Sequence, residues 1–81
     1  MRIFFSQHAL KRMDERKISK AQISKAFDKP FATLPTIDKH RRRIMADIDN
    51  EVLDIIYVPK KDKVLIVTIA WLRQEDRKVC L

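Results

Sequence analysis

Apolar residues recur at helical spacing in the first third of the chain, and a serine marks the start of the pattern. Ser6 is a suitable N-cap for a helix that we predict to run to about Arg16. At about 100° per residue, Ala9, Leu10 and Met13 fall on one arc of that helix and are expected to be buried. The apolar segment before it, residues 2–5, is predicted as a short strand or an apolar lead-in.

A second helix start is marked more fully. Ser19 is the predicted N-cap, and Gln22, three residues later, is the expected partner in a capping box. Ile18 and Ile23 occupy the two positions of a hydrophobic staple, so the helix is predicted over residues 19–28. Three of its apolar side chains are expected to be buried: Ile23, Ala26 and Phe27.

Beyond the helices the hydrophobic period becomes strand-like. Pro30 and Pro35 predict an extended crossing, because proline restricts its own φ and the residue before it. The segment RRRIMADI then alternates, with Ile44, Ala46 and Ile48 on one face. Four side chains share the other face: Arg41, Arg43, Met45 and Asp47.

Two more strands complete the predicted sheet. Asp49 and Asn50 make a turn, and residues 52–58 return from it. After a second connection, residues 64–72 are apolar on both faces, as in a central strand. We therefore predict an α+β fold in which two N-terminal helices pack on a three- to four-stranded antiparallel sheet, as a single domain over residues 1–81.

Composition narrows the function classes. Eighteen Lys and Arg against eleven Asp and Glu give a net charge of +7, which attracts polyanions such as nucleic acid or an acidic protein. The chain has no glycine, which excludes Gly-rich phosphate loops and with them ATPase and dinucleotide-binding activities.

The one cysteine, Cys80, excludes an intramolecular disulfide, and the longest apolar run has about half of the length that is needed to cross a bilayer. We expect a cytoplasmic protein without a membrane span or signal peptide.

The first helix also carries the first candidate site, because His8, Arg12 and Arg16 follow one another at four-residue spacing. These three residues, called the α1 stripe below, border the buried arc rather than oppose it. At such a border a guanidinium is partly desolvated and binds phosphate oxygens more strongly. The alternative is structural: the arginines extend along the edge of the core, and His8 is a first-turn residue.

The sequence of the first helix resembles that of a known family, and this resemblance bears on whether the α1 stripe is a functional site or a structural feature. Residues 8–18, HALKRMDERKI, are similar to the pattern His-Ala-x-x-Arg-Met-x-x-Arg-x-Ile that opens a bacterial family, domain of unknown function 4258, and Val67-Thr68 fits the Val-Thr step of its apolar strand. That family resembles the RelE/ParE toxin superfamily, which implies two N-terminal helices on an antiparallel sheet, messenger-RNA cleavage and inhibition by an acidic antitoxin.

On this resemblance the α1 stripe matches the family motif. Lys17 replaces the glycine commonly found after the last arginine, at a cost of about 1 kcal/mol where that position is left-handed. The lysine, arginine and tyrosine that the best-known ribonucleases of the superfamily use on their strands have no counterpart that we can place, so the fold does not by itself imply catalysis.

Metal-independent RNA cleavage requires a base, an acid and cations for the charged phosphorane. Histidine and arginine supply these groups, and the only two histidines are His8 and His40. The candidate catalytic residues are therefore His8, Arg12, Arg16 and His40. Four further basic residues are candidates for nucleic-acid binding: Lys11, Arg41, Arg42 and Arg43.

The run from His40 to Arg43 raises a geometric difficulty. In a strand, His40 and Arg42 share one face whereas Arg41 and Arg43 share the other. The four side chains can therefore contact the same phosphate only if the strand begins after His40. Such a run also protects a sheet edge from pairing. Tyr57 is expected to be a half-buried core aromatic, and Trp71 either core or a base-stacking residue.

Two hypotheses follow. The first is a toxin-like, metal-independent endoribonuclease that acts on RNA and is neutralised by an acidic antitoxin protein. The alternative is a non-catalytic basic module that docks on RNA, on DNA or on a protein such as a topoisomerase. No cofactor is expected, and the two distant histidines with one terminal cysteine do not form a recognised metal-ligand spacing.

Overall fold

The computed structural model describes residues 2–72, which form two helices and five strands. The elements in chain order are β1 (Arg2–Phe5), α1 (Gln7–Arg16), α2 (Lys20–Asp28), β2 (Ala32–Pro35), β3 (Arg42–Ile48), β4 (Glu51–Pro59) and β5 (Lys63–Leu72). The α+β class and both predicted helices are confirmed, and the apolar segment at residues 2–5 is a strand. Cys80 lies outside the described residues.

The sheet is larger than the predicted three or four strands, and it is mixed: three of its four strand pairs are antiparallel, as predicted, and one is parallel. The sheet has five strands in the order β1-β5-β4-β3-β2, and β1 runs parallel to β5 while the other pairs are antiparallel. Parallel neighbours need a long crossover, which here contains both helices and three further strands. This pairing joins the two ends of the described chain, and no local pattern signals it.

The helix starts form as their sequences predict. Ser6 Oγ accepts a hydrogen bond from Ala9 N at 3.0 Å, and Ser19 Oγ accepts one from Gln22 N at 3.1 Å. The Gln22 side chain returns a bond from Ser19 N at 2.9 Å and so completes the capping box. These bonds satisfy backbone donors that the first helical turn leaves unpaired.

Both helices cover the same face of the sheet, and the main core lies between the two layers. Ala9 and Met13 of α1 and Ile23 and Ala26 of α2 are buried there against strand residues such as Leu53. Leu10, which the helical arc predicted to be buried, is 47% exposed. At about 100° per residue it lies at the margin of the arc that the buried Ala9 and Met13 define.

Three described residues other than glycine have positive φ: Lys17, Asp49 and Asn50. Asp49 and Asn50 form the predicted turn, and positive φ at both central residues suits a tight hairpin between paired Ile48 and Glu51. Lys17 ends α1 at φ 57 and ψ 48, and its N–H donates to Met13 O. The helix thus ends in the left-handed conformation for which glycine is normally used.

Lys17→Gly is expected to raise the free energy of unfolding by about 1 kcal/mol, because a side chain at a left-handed position clashes with the backbone. Lys29→Gly is the matched control: Lys29 ends α2 at φ −139, so glycine relieves nothing there. Urea denaturation of both variants measures the difference. Equal changes in the two variants would contradict the left-handed end of α1.

Candidate functional site

Arg16 of the α1 stripe holds the helix to the sheet. Its Nη1 donates a hydrogen bond to Ile69 O of β5 at 2.8 Å. In return, the indole Nε1 of Trp71 donates to Arg16 O at 2.9 Å. Both bonds join the last turn of α1 to β5. The guanidinium of Arg16 therefore has a structural role, since it holds the helix against the sheet.

The position of this contact along β5 explains its importance. β1 pairs with β5 only as far as Ile66, and Ser6 N then donates to Ile66 O at 2.9 Å. Val67 is an extra residue at a bulge, because Ile66 pairs with Tyr57 whereas Thr68 pairs with Ile56. The Ser6 hydroxyl donates to Val67 O at 3.0 Å. Side chains of α1 and its cap therefore satisfy backbone carbonyls of β5 beyond the end of β1.

His8 and Arg12 have a different environment on the outer side of α1. Arg12 Nε donates to His8 Nε2 at 3.5 Å, a long hydrogen bond, and Arg12 Nη1 meets Glu15 Oε1 at 3.2 Å. His8 and Glu15 are exposed, as is the neighbouring Lys11. The contact therefore places a guanidinium beside an exposed imidazole on the outer side of α1.

The loop between β2 and β3 carries His40 and is braced by Asp38. One carboxylate oxygen of Asp38 accepts from His40 N at 2.8 Å, and the other lies 3.4 Å from Arg41 Nε. Thr36 Oγ1 donates to Asp38 O at 2.7 Å. Arg42 Nη1 donates to the backbone oxygens of Lys39 and Arg41 at 3.1 and 3.0 Å. The loop therefore holds its basic side chains by local bonds.

Arg43 is separated from the rest of this run. It forms a two-pronged ion pair with Asp54, with Nε to Oδ1 at 2.7 Å and Nη2 to Oδ2 at 3.0 Å. Both residues are on the sheet face opposite the helices, where the Asp54 side chain is only 12% exposed. This pairing occupies the edge of the guanidinium that a phosphate would need.

The structure does not join the two halves of the predicted catalytic set. Within residues 2–72, no hydrogen bond or ion pair connects the α1 stripe with His40 or with Arg41, Arg42 and Arg43. α1 packs on β5 whereas α2 packs on β3, and β4 lies between these two strands. Strands two places apart are separated by about 10 Å.

Sequence analysis missed a second basic segment, which the topology brings beside the first. Arg42 pairs with Tyr57 near the end of β4, the turn that follows contains Lys60 and Lys61, and Lys63 begins β5. β1 begins at the same level, where Arg2 pairs with Lys63. We call this surface the basic end of the sheet; it comprises Arg2, Lys39, Arg41, Arg42, Lys60, Lys61 and Lys63.

The basic end carries a strong excess of positive charge. Against its seven cationic side chains, the two loops there contribute the carboxylates of Asp38 and Asp62. The opposite end of the sheet holds the β3–β4 turn with Asp49 and Glu51. The segment PKKDK indicated only a connection in the sequence, because charge convergence depends on which turns lie at the same end.

The chain matches the model of a protein family over most of its length. The family model described as "Domain of unknown function (DUF4258)" matches residues 5–71. The chain belongs to this family. The matched part of the DUF4258 domain contains all the residues of the α1–β5 anchor, namely Ser6, Arg16, Val67, Ile69 and Trp71. No curated protein and no solved structure matches the chain significantly.

Residues 2–72 contain no group of three or more His, Cys, Asp or Glu side chains placed to hold a metal ion. Neither of the helices described is long and apolar enough to cross a membrane.

Arg16→Gln is expected to lower the free energy of unfolding by about 1 kcal/mol, because a charged donor to the β5 backbone is lost. Arg12→Gln removes the same charge from the same helix but breaks only contacts between exposed side chains, so its effect stays below about 0.5 kcal/mol. The fluorescence of the single tryptophan, Trp71, reports unfolding in urea. Equal losses in both variants would argue against the anchor.

Proposed function

We propose that this DUF4258 domain binds RNA through the basic end of its sheet. The observation that carries the proposal is the convergence of two basic segments, residues 39–42 and 60–63, at one end of the sheet, with Arg2 of the edge strand β1 beside Lys63. Lysine and arginine side chains at such density bind the phosphate backbone by displacing its condensed counterions. RNA is proposed over DNA because of the resemblance to the RelE/ParE superfamily.

The arrangement of the two segments favours an extended ligand. Arg41 and Arg42 lie on the β3 side of the basic end, and Lys60 and Lys61 lie on the turn between β4 and β5. These four side chains are exposed and so are accessible to phosphates. A backbone that crosses the end of the sheet meets cations from both segments in succession, which increases the number of counterions released.

The double variant Lys60→Ala/Lys61→Ala is expected to weaken RNA binding and to reduce the slope of log K against log salt by about 1 to 2, because each lost phosphate contact removes about one unit of slope. Fluorescence anisotropy with a labelled oligonucleotide at several salt concentrations measures both effects.

The matched control is Lys25→Ala/Lys29→Ala, which removes two exposed lysines from α2 and its C-cap. It is expected to change affinity much less than the turn variant. A larger loss in the control would move the interface to the helices, and the absence of any RNA binding by the unmodified domain would refute the proposal.

A second candidate function is a toxin-like, metal-independent endoribonuclease held in check by an acidic antitoxin. The contact that favours it is Arg12 Nε to His8 Nε2 at 3.5 Å, since it places a cation beside an exposed imidazole, a group suited to general acid or base catalysis. Arg12 is the cation beside that imidazole, whereas Arg16 acts through the fold. The two helices followed by an antiparallel meander support the proposed kinship with RelE/ParE toxins.

His8→Gln separates cleavage from binding, because glutamine keeps hydrogen-bonding groups but does not transfer protons near neutral pH. On the ribonuclease hypothesis, induced expression of the unmodified chain stops growth and fragments RNA, and the variant loses both effects with its RNA affinity intact. Growth arrest that persists in the variant, with RNA still fragmented, would remove His8 from catalysis. Absence of arrest and cleavage in both leaves the binding proposal as the better account.

A further inference from the structure

A cleft beside the β4–β5 turn combines an apolar floor with a basic rim. Its volume is about 530 Å³, within the range of pockets that hold small organic ligands. Tyr57, Pro59 and Val64 form the apolar part of its lining. The remaining lining residues are Lys60, Lys61 and Asp62 of the turn and Lys63 at the start of β5.

The aromatic ring in this cleft, that of Tyr57, is restrained by a contact with α2. Tyr57 is half-buried and packs edge-on against Phe27 of α2, with ring centroids 5.0 Å apart and planes at 73°. An edge-on contact restrains the ring while the other part of its surface lines the cleft. On the β1 side, Lys63 of the rim makes a cation–π contact with Phe4, with Nζ 5.1 Å from the centre of the ring.

We infer that this cleft holds one unpaired nucleotide of a single-stranded RNA, with the base against Tyr57 and Pro59 and the flanking phosphates on the lysine rim. The inference rests on the proposed RNA binding and specifies its substrate class. In a duplex the faces of the bases are stacked inside, so an apolar floor with an aromatic ring offers them no contact. Unpaired bases stack on such rings irrespective of their sequence.

The chain contains one tyrosine and one tryptophan, which makes a direct test simple. Tyr57 lies in the cleft, whereas Trp71 is at the α1 stripe through its bond to Arg16. We would record NMR spectra of protein labelled in these two residues during titration with a short oligouridine and, separately, with an RNA duplex of the same total charge. Anisotropy measures binding of both ligands under the same conditions.

The expected result is a shift of the Tyr57 ring signals with oligouridine, no comparable shift with the duplex, and a Trp71 indole signal that stays in place. Binding of oligouridine without a Tyr57 shift would overturn the nucleotide subsite but leave RNA binding intact. A shift of Trp71 instead would place the ligand on the α1 stripe. Absence of binding would overturn the inference and the proposed function together.

Two further measurements sharpen the test. Tyr57→Leu is expected to lower the affinity for oligouridine about tenfold and for the duplex little, since stacking is lost, whereas Tyr57→Phe keeps the ring and the affinity. The NMR titration of the unmodified protein decides the question if the leucine variant does not fold. A polyglutamate peptide of equal charge that shifts Tyr57 as strongly as oligouridine would replace the nucleotide with an acidic protein segment as the occupant.

Discussion

The attachment of α1 to β5 is the interaction on which the rest of the domain depends. β1 stops pairing at Ile66, and from there the backbone of β5 receives hydrogen bonds from the N-cap Ser6 and from Arg16. A carbonyl at a strand edge either finds a partner or remains open to another chain. By supplying partners from both ends of one helix, the chain positions α1 and closes the core over β5.

This attachment changes the interpretation of the α1 stripe. Residues spaced four apart on one helix look equivalent in the sequence, but they diverge in the structure. Arg16 acts through hydrogen bonds that hold the fold, while His8 and Arg12 contact each other at the surface. The family motif therefore contains one residue that bonds to the sheet and two residues that contact only side chains of their own helix. The Val-Thr step likewise coincides with the bulge that accepts the Ser6 hydroxyl.

The topology of the sheet determines where on the surface the positive charge is concentrated. A net charge of +7 predicts attraction for polyanions but no particular surface. Because β3 starts where β4 ends, and β1 starts beside the start of β5, separate basic segments meet at one end of the sheet. Arg43, by contrast, is adjacent in sequence to Arg42 but belongs to the other face and pairs with Asp54. Neighbours in sequence are thus separated, and distant residues are combined.

The sequence by itself determined the features that depend on residues a few positions apart. The Ser6 and Ser19 caps, the capping box with Gln22 and the Asp49-Asn50 turn are local hydrogen-bonding and backbone preferences, so their patterns were sufficient. Only the tertiary structure decided the parallel β1–β5 pairing, the structural role of Arg16 and the assembly of the basic end. Each of these joins segments far apart in the chain, and periodicity carries no information about which segments become neighbours.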